Sequence, residues 1–68
     1  MKFSIECERE EDGRWIAEIV QIPGAMAYGE TRDEAMARAE IVALRLIADQ
    51  IEHGEAKPVD ISISLAAA

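Results

Sequence analysis

The chain has 68 residues, of which 50% are hydrophobic and 31% are charged. This composition is typical of a globular protein, and the length allows a single domain, residues 1–68, with one modest core. Fourteen acidic residues against seven basic ones give a net charge of -7. Because the basic residues are scattered along the chain, we expect no direct binding of nucleic acid; the charge instead favours a basic protein partner.

The cysteine content and the hydropathy of the sequence indicate the cellular compartment of the protein. The single cysteine, Cys7, cannot form an internal disulfide, and no leader segment opens the chain. No apolar stretch approaches the roughly 20 residues that span a bilayer, because Arg45 and Asp49 interrupt the most hydrophobic region. We therefore expect a soluble cytoplasmic protein without a membrane contact.

Alternating hydrophobic residues predict a strand near each end of the chain. Within residues 2–8, the side chains of Phe3, Ile5 and Cys7 share one face, and residues 59–65 alternate in the same way. The shared face predicts that Cys7 is buried as an inert core residue.

Two further strands follow the first. The Asp12-Gly13 pair predicts a tight hairpin, because its glycine can adopt a positive φ. The next strand, at 15–20, is apolar on parts of both faces, which is typical of a covered or central strand. Pro23-Gly24 then predicts a turn before a short third strand over 25–30.

The following segment carries start and stop signals of a helix. Thr31 and Glu34 form the pattern of a capping box, in which each side chain accepts a hydrogen bond from the other residue's backbone amide. The helix is expected from Arg32 to about His53, with Gly54 ending it. We expect His53 to contact free carbonyls of the last turn rather than a metal ion.

These elements give an α+β fold of order βββαβ. Three strands joined by short turns form an antiparallel meander, and one helix packs on one face of the sheet. A right-handed crossover through the helix places the fourth strand beside the first and parallel to it.

The predicted helix carries two apolar arcs, and one sheet can cover only one of them. The core arc contains Met36, Ala39, Val42, Ala43, Leu46 and Ile47. The outer arc contains Ala37, Ile41, Leu44, Ala48 and Ile51. Scattered exposed hydrophobic residues are common and need no function. A contiguous stripe, however, marks an interface more often than not, so we expect a homo-oligomer that forms through Ile41, Leu44 and Ala48, with Ile51 at its end.

The polar strip between the arcs contains two pairs of opposite charge at a spacing of four, Glu34 with Arg38 and Arg45 with Asp49. We interpret it as a solvated face.

Carboxylates on the strands could in principle bind metal ions. Glu6, Glu8, Glu18 and Asp60 fall on strand faces, but no histidine or second ligand set accompanies them, so a metal-dependent nuclease is a remote alternative. Trp15 and Tyr28 could stack on bases, yet they lack surrounding basic residues, and we place Trp15 in the core. No metal site, cofactor site or catalytic residue is predicted.

One motif is specific. Pro23-Gly24, Gly29, Thr31 and Glu34-Ala35 follow the pattern P-G-x(4)-G-x-T-x-x-E-A. This pattern resembles the HicB family of antitoxins, and the similarity extends through the helix to Pro58. The resemblance implies a partial ribonuclease-H-like fold, in which these six residues shape the turn, cap the helix and allow close packing.

The resemblance also implies a partner, a HicA-like toxin that degrades messenger RNA. HicB antitoxins often carry a cysteine directly after the Pro-Gly pair, where this chain has Ala25. Full-length members add a carboxy-terminal DNA-binding domain, and we expect none here and no binding to an operator. The first hypothesis is an antitoxin that masks its toxin by protein contact, and the alternative is an orphan HicB-like protein that assembles with itself.

Overall fold

The computed structural model of the protein consists of a β-sheet with one helix packed on one of its faces. The structure describes residues 2–54 and 62–65. Its elements in chain order are β1 (Lys2–Arg9), β2 (Trp15–Ile19), β3 (Met26–Gly29), α1 (Arg32–Glu52) and β4 (Ser62–Leu65). The predicted antiparallel meander of three strands followed by a helix is confirmed.

The strands lie in the order β3-β2-β1-β4. Strand β2 is antiparallel to both of its neighbours and is therefore central, as expected. The helix covers only one face of the sheet, so Ile16 on the other face stays partly exposed. Strand β4 pairs with β1 in parallel. Residues 59–61 of the expected last strand, the expected break at Pro58 and the expected tail at 66–68 lie outside the described residues.

The β1–β2 hairpin turns through three residues, Glu11 to Gly13. It is closed by a hydrogen bond from the Glu10 amide to the Arg14 carbonyl, 2.7 Å long. Gly13 has a φ of 93°, the positive value that the Asp-Gly pair was expected to supply. A loop of this length with a left-handed glycine suits the right-handed twist of the two strands.

The helix packs on the sheet through small residues at the centre of its buried face. That centre is Ala35, Ala39, Ala43 and Ile47, spaced by four. Three members of the predicted core arc, Met36, Val42 and Leu46, flank this line and are only partly buried. Hydrophobicity alone favoured the larger residues, whereas close approach of helix and sheet requires methyl groups at the centre.

Two residues that were predicted to lie in the core are found at its margin. Cys7 and Trp15 are only partly buried, although both pack against the core. The helix lies mainly over β3 and β2 and less over β1, so the distal part of β1, where Cys7 lies, is incompletely covered. Phe3 and Ile5, earlier in the same strand, are buried as expected.

The end of the helix follows the predicted signals. His53 is the C-cap, and Gly54 has a φ of 72°. The Nδ1 atom of His53 lies 2.8 Å from the Asp49 carbonyl oxygen, which confirms its capping contact. Asp49 Oδ1 lies 3.2 Å from the same nitrogen. The carbonyl oxygen and the carboxylate of Asp49 thus both lie beside the His53 ring. Within the described residues Asp49 therefore pairs with His53 and not, as expected, with Arg45.

Candidate protein-binding surfaces

The family-like motif begins with a tight turn between β2 and β3. Gly24 adopts a φ of 86°, which residues with a side chain rarely adopt. The amide of Ala25 donates to the Ile22 carbonyl at 3.0 Å, and the amide of Ile19 donates to the Ala25 carbonyl at 2.9 Å. Ile22 and Ala25 are buried on either side of the exposed Pro23-Gly24 pair. The turn thus fixes β3 beside β2.

Gly29 lies where β3 passes directly under the start of the helix. A Cβ atom at this position would lie 2.5 Å from the Ala35 backbone nitrogen and 3.0 Å from the Ala35 Cα. Its φ is not positive, so the need for glycine is steric and not conformational. Ala35 is itself fully buried. The motif therefore encodes one close contact between strand and helix.

Thr31 caps the helix as predicted. Its φ of -124° and ψ of 161° are extended, and its Oγ1 accepts a hydrogen bond from the Glu34 amide at 3.1 Å. The glutamate half of the capping box differs from the prediction. Glu34 Oε1 lies 3.5 Å from the amide of Glu30, one residue before the cap, and it also lies 2.9 Å from the Arg38 guanidinium. The ion pair with Arg38 accounts for the position of the Glu34 carboxylate away from the Thr31 amide.

We expect Thr31→Ala to lower the free energy of unfolding by about 1 kcal/mol, the usual cost of losing an N-cap hydroxyl. Thr31→Ser keeps the acceptor oxygen and should retain most of the stability. Urea denaturation followed by circular dichroism measures both variants. Equal midpoints for the alanine and wild-type proteins would show that the hydroxyl does not cap the helix.

Arg38 also protects the outer edge of the sheet. Its guanidinium donates to the Tyr28 carbonyl at 3.0 Å, while Glu34 holds the same guanidinium from the other side. Edge strands expose backbone groups that can pair with another chain. Because Arg38 occupies a carbonyl of β3, this edge is a poor place for a partner strand.

The outer face of the helix is the first unpartnered surface. Ile41 is 48% exposed and Leu44 is 50% exposed, and Ala37 and Ala48 beside them are also exposed. We call these four residues the helix stripe. The exposure expected from the sequence is therefore found for Ile41, Leu44 and Ala48.

Ile51 differs from the stripe with which it was grouped. It is partly buried and packs against the core. The Cα–Cβ bonds of a helix tilt towards its N-terminus, so Ile51 leans over Ile47, one turn earlier, which is buried. The stripe consequently ends at Ala48.

The second surface is the sheet face opposite the helix, which we call the open sheet face. In β1, β2 and β3 the residues facing away from the core alternate with more buried ones, and the exposed Val20 continues this alternation one residue beyond β2. Its exposed members are Lys2, Glu6, Glu8, Glu18, Val20, Met26 and Tyr28, with Ser4 and Ile16 partly exposed. The alternation of residues along the strands predicts a solvated face of carboxylates. It does not reveal that three large hydrophobic side chains, those of Val20, Met26 and Tyr28, lie on the same face.

The hairpin fixes one edge of the open sheet face. Arg14 stacks over the Tyr28 ring at 4.5 Å from its centroid, and its Nε lies 2.8 Å from Asp12 Oδ2. Hydrogen bonds from the Arg14 backbone amide and guanidinium lower the pKa of the exposed Asp12 carboxyl. Tyr28 is thereby held flat under a cation, an arrangement known to stabilise aromatic rings at exposed positions.

Two other features are absent from the described part of the chain. Within residues 2–54 and 62–65, no three histidine, cysteine or acidic side chains converge as metal ligands would. Over the same residues, no helix is both long and apolar enough to cross a bilayer.

Comparison with known proteins gives two matches. The chain is 35% identical over 57 residues to a UPF0150 protein of Archaeoglobus fulgidus, which covers 81% of this chain and 83% of that protein. The fold is similar to the crystal structure of the N-terminal domain of the Burkholderia pseudomallei antitoxin HicB, with a TM-score of 0.75 and 25% identity, covering 88% of this chain and 71% of that one. No protein-family model matches the chain.

Proposed function

Since the chain belongs to the UPF0150 family, which is HicB-like, we propose that it is an antitoxin that neutralises a HicA-like, messenger-RNA-degrading toxin by protein contact. The observation that carries the proposal is the match of nearly the whole fold to the N-terminal domain of a HicB antitoxin. The six motif residues support it as builders of the scaffold. In this proposal they shape the β2–β3 turn and the close contact between Gly29 and the helix, and none of them performs chemistry.

The proposed activity requires a protein-binding surface and no catalytic residue. Toxin neutralisation requires an interface that covers the working face of the toxin, and complementary charge speeds such an association. A chain with a net charge of -7 is suited to a toxin that binds RNA through basic residues. The proposal includes a cytoplasmic location, where messenger RNA and such a toxin would meet.

The test is a growth assay with the short basic protein encoded by the reading frame beside this gene. We expect that protein to arrest growth when expressed alone and growth to recover when this chain is expressed with it. The two should also co-purify. If the neighbouring frame encodes no toxic protein, or if growth does not recover, the antitoxin function is rejected and the orphan alternative is favoured.

We also propose that copies of this chain associate through the helix stripe. The supporting observation is the half-exposed pair Ile41 and Leu44, with Ala37 and Ala48 beside them, on the helix face opposite the core. Small residues next to large ones let two helices approach closely. This assembly is compatible with toxin binding, and it is what would remain if the chain were an orphan.

Finally, we propose that the βββαβ order corresponds to a partial ribonuclease-H-like fold without nuclease activity. A fold does not transfer an activity unless its site is present. In this proposal the strand carboxylates Glu6, Glu8 and Glu18, which are exposed on the open sheet face, contact protein and not a metal ion. Metal-dependent cleavage of RNA by the purified chain, abolished by a chelator, would overturn this assignment.

A further inference from the structure

The open sheet face brings like charges together at its centre. Glu6 of β1 is the direct cross-strand partner of Glu18 of β2, and both side chains are exposed. Glu8 projects from the same face two residues further along β1. Like charges at directly opposed positions of an antiparallel pair destabilise a sheet. The described ion pairs involve none of these three carboxylates.

Hydrophobic side chains flank the carboxylates. Met26 is the cross-strand partner of Glu18, and Tyr28 is the partner of Ile16. Met26 is 44% exposed, Tyr28 41% and Val20 54%. These three are most of the large exposed hydrophobic residues in the described part of the chain, the others being Ile41 and Leu44 on the helix stripe.

This mixture indicates the chemistry of an occupant. A free cation would need converging ligands, and the sheet spreads the carboxylates along two strands instead. A second copy of this chain would bring its own Glu6–Glu18 pair against the first and double the repulsion. A basic protein surface, in contrast, would supply lysine or arginine to the carboxylates and apolar atoms to Met26, Tyr28 and Val20. Aromatic and methionine side chains are enriched in such interfaces.

We propose that the open sheet face is the docking surface for a basic protein partner, with Glu6 and Glu18 opposite its cations. The inference rests on the proposed antitoxin function and assigns the toxin to this face, leaving the helix stripe to self-association. Arg14 contributes by holding the Tyr28 ring in place, so the aromatic contact is ordered before the partner arrives.

Glu18→Lys tests the inference without endangering the fold. The new lysine would face Glu6 and turn a repulsive cross-strand pair into an attractive one. The variant should therefore be at least as stable as wild type, while its affinity for a basic partner falls. The matched control is Glu52→Lys, which makes the same change of net charge at an exposed position at the end of the helix, on the other side of the sheet.

The measurement is calorimetric titration with the basic protein encoded by the neighbouring reading frame, at low and high salt. We expect Glu18→Lys to weaken binding at least roughly tenfold, the size of effect that a charge pair at an interface can have. Glu52→Lys should change it much less. Met26→Ala should also weaken binding, whereas Ile41→Ala, on the helix stripe, should not.

The outcomes separate this inference from the proposed function. If the wild-type chain binds the basic protein and Glu18→Lys binds equally well, the docking surface lies elsewhere and the antitoxin function stands. If Glu52→Lys weakens binding as much as Glu18→Lys, only overall charge matters and the assignment to the sheet face is lost. If the wild-type chain does not bind that protein at all, the proposed function fails and this inference fails with it.

Discussion

Gly29→Ala is expected to destabilise the protein by about 3 kcal/mol or more, at the upper end of the range for overpacked cores. The added Cβ would lie 2.5 Å from the Ala35 backbone nitrogen, a distance at which the strand or the helix must move. Neither can move freely, because β3 is paired to β2 and Thr31 caps the helix two residues later. For a domain of this size, such a loss approaches the whole free energy of folding.

Gly24→Ala is the matched control. Gly24 has a φ of 86° but nothing within 4 Å of the position of a Cβ. Its replacement should cost about 1–2 kcal/mol through the left-handed backbone alone. Urea denaturation of both variants should therefore rank Gly29→Ala well below Gly24→Ala. The reverse ranking would contradict the steric account of Gly29.

A double variant distinguishes the atoms responsible. The predicted clash of Gly29→Ala is with backbone atoms of residue 35 and not with its methyl group. Adding Ala35→Gly should therefore rescue nothing and should cost a further amount of about 1 kcal/mol for glycine within a helix. Recovery of stability in the double variant would place the contact on the Ala35 side chain instead.

Much of this fold was predictable because its signals are local. The period-two pattern of β1, the Asp12-Gly13 hairpin and the start of the helix at Thr31 each depend on a few neighbouring residues. The end of the helix at His53 and Gly54 was predictable for the same reason. Helix termini and tight turns have restrictive backbone requirements, and few residue types satisfy them.

The contacts between elements were harder to predict from the sequence. Nothing near Gly29 in sequence reveals that its Cα passes under Ala35, and nothing near Arg38 reveals that it reaches the Tyr28 carbonyl. The alanine centre of the helix was hidden for a related reason. Hydrophobicity ranks Val42 and Leu46 above Ala35 and Ala43, whereas packing against a sheet selects for size as well.

The candidate surfaces show the same division. The helix stripe could be read from one periodicity, since Ile41, Leu44 and Ala48 lie on a single element. The open sheet face required the register of three strands, which places Glu6 beside Glu18 and Glu18 beside Met26. The apolar residues Ile16 and Val20 on the face of Glu18 were the available signal, but the same pattern also fits a central strand that is covered on both faces.

The two surfaces differ in chemistry, and this difference favours two kinds of partner. The open sheet face combines carboxylates with apolar side chains, whereas the helix stripe is formed by Ala37, Ile41, Leu44 and Ala48. Uncharged apolar surface can meet its own copy without repulsion, as a two-fold axis requires. Self-association through the helix would leave the sheet face of each copy free for a basic partner.

Leu44→Glu is therefore expected to dissociate the assembly without unfolding its subunits. Leu44 is 50% exposed, so its replacement removes little from the core, whose helix residues lie on the opposite side. Because Ile41 and Leu44 are already about half buried, covering the rest of each between two copies would contribute about half of the roughly 1.5–3 kcal/mol that full burial of such a side chain is worth. A charge in the middle of that contact removes the gain and adds the cost of desolvating a carboxylate on each partner. We expect light scattering to report a dimer or larger particle for wild type and a smaller one for the variant, with unchanged helical circular dichroism. Gln50→Glu, an exposed change on the same helix away from the stripe, should leave the mass as in wild type. A wild-type protein that is monomeric at high micromolar concentration, or a Leu44→Glu variant of unaltered mass, would show that the helix stripe is a solvated surface.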